Sequence, residues 1–330
     1  MKARRVTLAA ALAALALLSA LPAVRAHADA STRAVTGGVE PVGRCKPPEL
    51  HVLPEPVGRV PARAMGGPLQ FTVTWDTAMV ARPAYQAVVM QALNEWSAIV
   101  LDAGCLTNPL PIHVRLLPLG GTFIGFCNAF SYGSGCIAFD TLTIDSNTSW
   151  FVDPTPANDS EFAGPGPAPA GYDLLTVVRH EVGHGVGWTT GAQVDPYLSP
   201  DLTFDLLTLN IPTVTATGLH VDPAWLPNEL MTPSIGPRTR RAITLYPDAS
   251  LIARTEGMKI PMHFVDYGGA GLGDGSATNP WTSPLSAAIH TPAGWPILVG
   301  HDIQHTLPGS VFDTPHTWTA ARWGATILAP

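Results

Sequence analysis

The stretch His180-Glu181-Val182-Gly183-His184 contains the residue types that metal-dependent hydrolysis needs. On a helix, residues i and i+4 lie on one face, so the two imidazoles can bind the same metal ion. Glu181 follows the first histidine, where its carboxylate can act as a base toward water at the metal without ligating it. The spacing therefore predicts one catalytic zinc ion, with His180 and His184 as ligands and Glu181 as the catalytic base. The alternative is a chance match, which the surrounding apolar helix and the following Gly187 make less plausible.

Two histidines leave a catalytic zinc one protein ligand short. Metzincin peptidases carry HExxHxxGxxH, in which the glycine lets the chain turn toward a third histidine. This chain has the glycine, Gly187, but Thr190 stands at the third-ligand position. The segment GLHVDPAWLPNELMTPSIGPRTRRAITL (218–245) resembles the third-ligand and Met-turn region of leishmanolysin-like metzincins, where an insertion precedes the last histidine. The resemblance implies that His220 is the displaced third ligand and that Met231 is the methionine beneath the metal.

Each of these assignments has an alternative. Glu229 could be the third ligand, as a downstream glutamate is in gluzincins, although the neighbouring prolines disfavour a helix there. Asp195 could also coordinate, but it precedes a proline and fits a turn. His220 could be a surface histidine, and Met231 an ordinary core methionine.

Composition limits the classes of partner. The chain has 330 residues, 13% of them charged, and a formal net charge of −7, which argues against nucleic-acid binding because phosphates require a basic surface.

The beginning MKARR followed by VTLAAALAALALLSAL is typical of a secretory signal, with small-x-small cleavage sites near residues 26–30. An uncleaved anchor is the alternative. No later stretch has the roughly 20 apolar residues of a transmembrane helix, so we expect a secreted protein without a membrane anchor after cleavage.

All four cysteines follow this signal, and an even number in an exported chain predicts two disulfides. Cys127 and Cys136 flank NAFSYGSG, which predicts a local bridge across a hairpin and leaves Cys45 to pair with Cys105. Alternatively, the stretch around Cys45, GRCKPPE, resembles the propeptide motif by which some metzincins close the zinc site with a thiolate. That alternative would leave one of the other three thiols unpaired.

Hydrophobic periodicity predicts an α/β (α+β) fold, with a mixed twisted sheet and an active-site helix. Asp173 is the expected N-cap of that helix. We take the strand at 136–144 as the edge strand along which an extended substrate would lie. The predicted strands are 69–75, 111–119 and 136–144, and the predicted helices are 84–101 and 172–187.

After Met258 the composition changes to turns and small residues, and the segment resembles the opening coils of right-handed parallel β-helix proteins. It is expected to be β-rich, and its tryptophans could contact a surface glycan or a protein, although burial is the alternative. The sequence offers no support for a calcium site.

The predicted organisation is a signal peptide (1–30), an N-terminal arm or propeptide (31–66), a zinc metallopeptidase domain (67–260) and a β-rich accessory segment (261–330).

The leading hypothesis from sequence is a secreted zinc metalloendopeptidase acting on protein or peptide substrates. A zinc-containing extracellular binding module without catalytic activity is the alternative from another functional class. A closed site with four protein ligands would favour the second hypothesis, and an open coordination position the first.

Overall fold

The computed structural model describes residues 43–45, 49–52, 67–131, 136–163, 168–189, 197–198, 203–206, 209–214, 220–266, 273–299 and 318–320. All of them belong to one compact unit, Glu40–Pro330. The strands are β1 (Gly43–Cys45), β2 (Glu49–Val52), β3 (Phe71–Trp75), β4 (Leu110–Leu117), β5 (Phe123–Ser131), β6 (Ile137–Asp145), β7 (Trp150–Phe151), β8 (Tyr172–Asp173), β9 (Thr203–Leu206), β10 (Leu209–Val214), β11 (His220–Val221), β12 (Ser234–Ile235), β13 (His263–Val265), β14 (Ile297–Val299) and β15 (Trp318–Ala320). The helices are α1 (Thr77–Val80), α2 (Pro83–Ile99), α3 (Ser160–Ala163), α4 (Leu174–Gly185), α5 (Ser250–Glu256) and α6 (Pro284–His290), and a π-helical turn, Leu245–Ala249, leads into α5.

A mixed seven-stranded sheet is the main layer of the fold. Its order is β12-β1-β5-β6-β4-β3, and β2 pairs with β5 as well. Strands β3, β4 and β6 are parallel, and β5 is antiparallel to β6. The predicted mixed α/β class with a mixed sheet is therefore confirmed.

The predicted elements with clear periodicity are present to within two residues at each end: β3, α2, β4, β6 and α4. Residue periodicity does not predict β5, because its sequence FIGFCNAFS lacks alternation. Most of its residues are buried, since α4 packs on the strand. A strand covered on both faces loses the period-2 pattern that identifies a strand.

The assignment of 136–144 as the edge strand is wrong. β6 lies in the interior of the sheet, hydrogen-bonded to β5 on one side and to β4 on the other. Periodicity reports which face of a strand is buried, but it carries no information on which strands are its neighbours. On the side of β6 that faces away from β4 lies β5. The other edge of β5 pairs with β1 and β2.

Helix α4 lies at the centre of the core. It packs against α2, β5 and β6, and all twelve of its residues are buried. On α2 the buried residues recur at helical spacing and end at Trp96, whose indole donates a 3.0 Å hydrogen bond to the carbonyl of Arg179. The helix that carries the histidine pair is thus held from both sides.

Both predicted disulfides are wrong, because the structure pairs Cys105 with Cys136, with a Cα–Cα distance of 5.5 Å. The β5–β6 register sets Cys127 opposite Leu142, six residues beyond Cys136 and about 20 Å along the strand, too far for a bridge. Cys127 is a buried free thiol. The side chain of Cys45 lies outside the described part of the chain.

The C-terminal segment contributes a three-stranded parallel sheet, in the order β13-β14-β15, with α6 between the first two strands. The pairing is in register, with His263 beside Ile297 and Ile297 beside Trp318. Parallel strands stacked in this way are what a β-helix would have, and the β-helix interpretation itself stays a prediction. Within the described residues, no helix combines the length and the apolar character that crossing a membrane requires.

Candidate metal centre

The start of α4 is fixed by a buried carboxylate. Asp173 accepts hydrogen bonds from the backbone N–H of Thr176 at 3.0 Å and from its hydroxyl at 2.6 Å, which confirms the predicted N-cap. Arg240 binds the same carboxylate with an Nη2–Oδ1 distance of 2.7 Å. This helix end therefore has a defined position, from which the histidine pair projects about two turns later.

The structure brings His220, on β11, to the two helix histidines, as the resemblance implied. The Nε2 atoms are 3.0 Å apart for His180 and His184, 3.1 Å for His184 and His220, and 3.3 Å for His220 and His180. Nitrogen atoms bound at 2.0–2.1 Å to a tetrahedral zinc lie about 3.3 Å from one another. Within the described ranges, these three side chains are the only His, Cys, Asp and Glu group close enough to hold a metal ion.

Hydrogen bonds on the far side of two rings direct Nε2 toward the common point. The Nδ1 of His180 lies 2.8 Å from the carbonyl oxygen of Leu230, and the Nδ1 of His184 contacts the carbonyl oxygen of Trp188. An Nδ1–H that donates to a carbonyl leaves Nε2 unprotonated and available to a metal.

Burial keeps these imidazoles neutral. Desolvation, reinforced by the neighbouring His184 and His220, lowers the pKa of His180 well below its ordinary value. Burial also lowers the pKa of His184 to about 4, although the hydrogen bond that its Nδ1–H donates to the carbonyl oxygen of Trp188 acts in the opposite direction. Neutral imidazole is the form that ligates metal ions, so His180 and His184 are ready to bind one at neutral pH.

Glu181 lies against β5 at a glycine. A Cβ added to Gly125 would be 2.5 Å from Oε1 of Glu181 and 2.8 Å from a methyl group of Val177. Only a residue without a side chain lets the strand come this close to α4. The carboxylate is fully buried between helix and strand.

Two more predicted site residues lie next to α4. Met231 is fully buried, and its Sδ would be 2.6 Å from a Cβ at Gly183, so the glycine in the centre of the motif makes room for the methionine. Gly187 has φ +136°, and the helix ends at Gly185, so the predicted turn after the helix is present. A Cβ at Gly187 would meet Glu256 at 2.8 Å.

Glu229 and Asp195 are the other candidates for the third metal ligand. Glu229 is not part of the histidine cluster, and its Oε2 instead accepts a 3.1 Å hydrogen bond from the hydroxyl of Thr244. Thr190 and Asp195 lie outside the described residues.

Arg241 is a site residue that the sequence analysis missed. Its guanidinium donates to the carbonyl oxygens of Glu229 and Ser234 at 3.0 and 3.2 Å, and it contacts the hydroxyl of Thr232. These bonds close the turn around Met231. The sequence contains no signal for this role, because an arginine ten residues away can bind a turn only after the chain has folded back.

A buried acidic cluster lies at the C-terminal end of α4. A Cβ at Gly185 would be 2.6 Å from the carboxylate of Asp140 and 3.2 Å from Sγ of Cys127. Burial raises the pKa of Glu256 to about 8, and burial together with Glu256 raises the pKa of Asp140 well above its ordinary value. Burial, Asp140 and Glu181 raise the pKa of the Cys127 thiol. Burial therefore disfavours the ionised form of each of these three groups.

The N-terminal arm pairs with the strand that borders Glu181. β1 runs parallel to β5, with Cys45 beside Gly125, and antiparallel to β12, with Gly43 beside Ile235. β2 continues along the same edge of β5, pairing from Asn128 to Ser131. Strand β1 of the arm thus lies between β5 and β12, the strand that follows Met231.

No protein-family model, curated protein or solved structure matches the chain. The function is therefore inferred from the geometry of the three histidines, Glu181 and the strands around them.

Proposed function

We propose that this protein is a secreted zinc-dependent endopeptidase of the metzincin type. The observation that carries the proposal is the triangle of Nε2 atoms from His180, His184 and His220, with sides of 3.0–3.3 Å, next to a buried glutamate on the same helix. The order of the motifs supports it: HExxHxxG, a displaced histidine and a methionine turn resemble the leishmanolysin-like arrangement.

The chain's own residues have separate tasks in this reaction. When bound, zinc supplies a Lewis acid that polarises a carbonyl group and lowers the pKa of water to about 7. Glu181 accepts the proton of the attacking water and donates it to the leaving amine. Gly125 sets the distance between the carboxylate and β5, and Met231 supports α4 beneath the ligands.

An extended substrate would pair with the edge of β5 rather than with β6. Backbone pairing with a free strand edge is a common way to bind extended peptides. β5 passes directly beside Glu181 at Gly125, so a peptide on this edge would have its scissile bond close to the base. β1 and β2 pair along this edge and must leave it before a substrate can bind.

A zinc-containing module without catalytic activity is the second candidate, and one observation favours it. His180, Glu181, His184 and His220 all have 0% exposed surface, and the neighbouring strand edge is paired. A structural zinc site is closed in this way. The two candidates differ in what happens when the N-terminal arm is removed.

The test is cleavage of fluorescently labelled casein by a chain that starts at Gly67, compared with Glu181→Gln in the same chain. We expect the substitution to lower kcat/KM by about 10²–10⁴-fold, since it removes the base. Bound zinc, measured by elemental analysis, should remain at one ion per chain. Glu256→Gln is the matched control, a buried glutamate outside the histidine cluster, and should retain activity within about twofold.

Casein hydrolysis that a chelator abolishes, and that Glu181→Gln lacks, would establish a metallopeptidase. A wild-type chain that binds zinc, is shown to be folded and cleaves neither casein nor a mixed peptide library would contradict the proposal. That result would favour the non-catalytic module.

A further inference from the structure

A second concave site lies away from the histidine cluster. It is a cavity of about 230 Å³ between the chain that leaves α5 and the C-terminal segment. None of the candidate metal ligands lines it. The side chains that matter for its chemistry are Lys259, Met262, His263, Asp274, His290 and Trp295.

Two opposite charges stand at the rim. Lys259 and Asp274 are exposed, and both line the cavity. Burial opposes ionisation of Asp274, but hydrogen bonds from Ser276 and the charge of Lys259 together lower its pKa. The rim therefore offers a donor and an ionised acceptor at neutral pH.

The aromatic walls are braced by their neighbours. His263 contacts Trp295 edge-to-face at 5.4 Å between ring centroids, and its Nδ1 lies 2.9 Å from the hydroxyl of Thr291. His290 stacks on Trp281 at 5.0 Å and leaves its ring exposed at the rim. Hydrogen-bonded and stacked rings are already positioned before a ligand binds, which lowers the entropy lost on binding.

The backbone around the cavity has little capacity to bind a peptide. The N–H of Phe264 donates to Gly275 at 2.9 Å, and its carbonyl accepts from Trp281 at 2.9 Å, while β14 occupies the other side of β13. In the part of the chain that the structure describes, a peptide entering here would find both edges of β13 already bonded. A ring that has an apolar face and carries hydroxyl groups can bind through contacts with side chains alone.

We propose that this cavity binds a single pyranose ring, as a free sugar or as the end of a glycan. The apolar face of the ring would lie against the indole of Trp295 and the side chain of Met262, and its hydroxyl groups would bond to Lys259, Asp274 and His290. The volume is below the roughly 300–1,000 Å³ of sites for drug-sized ligands, which fits one ring rather than several. The proposal goes beyond the peptidase reaction and does not depend on it.

The experiment is ligand-observed NMR with the full chain carrying Glu181→Gln, so that no proteolysis interferes. The probes are the methyl glycosides of glucose, galactose, N-acetylglucosamine and glucuronic acid, with N-acetyl-leucine amide as the peptide probe. We expect saturable binding of at least one glycoside, with a Kd of the order of 1 mM for a ligand of this size. Trp295→Ala should weaken it at least about tenfold.

Lys259→Ala is the second variant, because an exposed side chain can be removed without unfolding the protein. It should weaken binding about three- to tenfold through loss of a charged hydrogen bond. Arg82→Ala, an exposed cation outside the cavity, is its matched control and should bind as the wild type does. Absence of saturable binding of all four glycosides up to about 50 mM would overturn the proposal. Binding of the peptide probe alone, or glycoside binding that survives both cavity variants, would overturn it as well.

Discussion

Gly125 couples the sheet to the candidate base. A Cβ at this position would be 2.5 Å from Oε1 and 2.9 Å from Cγ of Glu181, so an added methyl group must displace the carboxylate or the strand. Small displacements of a catalytic group have large effects on rate. We therefore expect Gly125→Ala to lower kcat/KM of the chain that starts at Gly67 by about 10–100-fold, with zinc still bound.

Casein hydrolysis and elemental analysis measure the two quantities. Gly236→Ala is the control, since a Cβ there would meet only the hydroxyl of Thr239 at 3.4 Å. Equal activity of the two glycine variants would show that the close approach of β5 to Glu181 does not matter for the reaction.

Glu256 makes the stability of the fold depend on pH. Burial raises its pKa to about 8 in the folded chain, above the value near 4.3 of an unfolded glutamate. Between these values the unfolded chain releases the proton and the folded chain keeps it. The contribution of Glu256 to the free energy of unfolding is therefore fully present below about pH 4. It decreases by roughly 1 kcal/mol per pH unit and is lost as the pH rises through about 8.

Glu256→Gln removes this titration. We expect the wild type to lose unfolding free energy relative to the variant as the pH is raised from about 5 to 8, by the order of a few kcal/mol. Denaturant unfolding at fixed metal concentration measures it. Parallel pH dependences for the two proteins would show that Glu256 titrates normally.

At the scale of elements, the decisive arrangement is the pairing of β1 and β2 with β5. If a substrate pairs with the edge of β5 that β1 and β2 now occupy, activity would be limited to the fraction of molecules in which these strands have moved away. We expect the chain that starts at Gly67 to cleave casein at least about tenfold faster than the chain that starts at Ser31.

Cys45→Ser in the longer chain separates two explanations for such a difference. Backbone pairing alone predicts that this variant stays as slow as its parent. An increase to the rate of the shorter chain would favour the thiolate interpretation of Cys45, which the sequence also suggested. Equal rates for the two chain lengths would contradict occlusion of the site by the arm.

At the scale of the whole molecule, a metal ion held by the three histidines would join distant parts of the chain. His184 and His220 are 36 residues apart, and β11 is hydrogen-bonded to the Met231 turn rather than to α4. An ion that binds only the folded chain raises the free energy of unfolding by RT ln(1 + [L]/Kd). This increase is about 4 kcal/mol when the free ion concentration is a thousandfold above Kd.

We expect zinc to raise the Tm of the wild type by roughly 5–10 °C relative to chelated protein, and His220→Ala to lose most of that increase. Thermal unfolding followed by circular dichroism measures both. His113→Ala, on β4 outside the cluster, is the control and should keep the full increase. A His220→Ala chain with an unchanged zinc-dependent Tm would remove His220 from the ligand set.

The features that the sequence alone determined are local. The motif on α4, its N-cap at Asp173, the turn at Gly187 and four other elements followed from residue spacing, because helical and strand periodicity depend on nearby residues. His220 and Met231 came from a resemblance of the region around them.

What only the tertiary structure decided depends on contacts between distant residues. The neighbours of β6, the partner of Cys136, the bonds of Arg241 to the Met231 turn and the pairing of β1 with β5 are set by which surfaces meet in the folded chain. Residue spacing carries no record of those contacts, since the same periodic pattern is compatible with several strand orders and cysteine pairings. The sequence therefore identified the groups that could do chemistry, while the fold decided how closely they meet and what covers them.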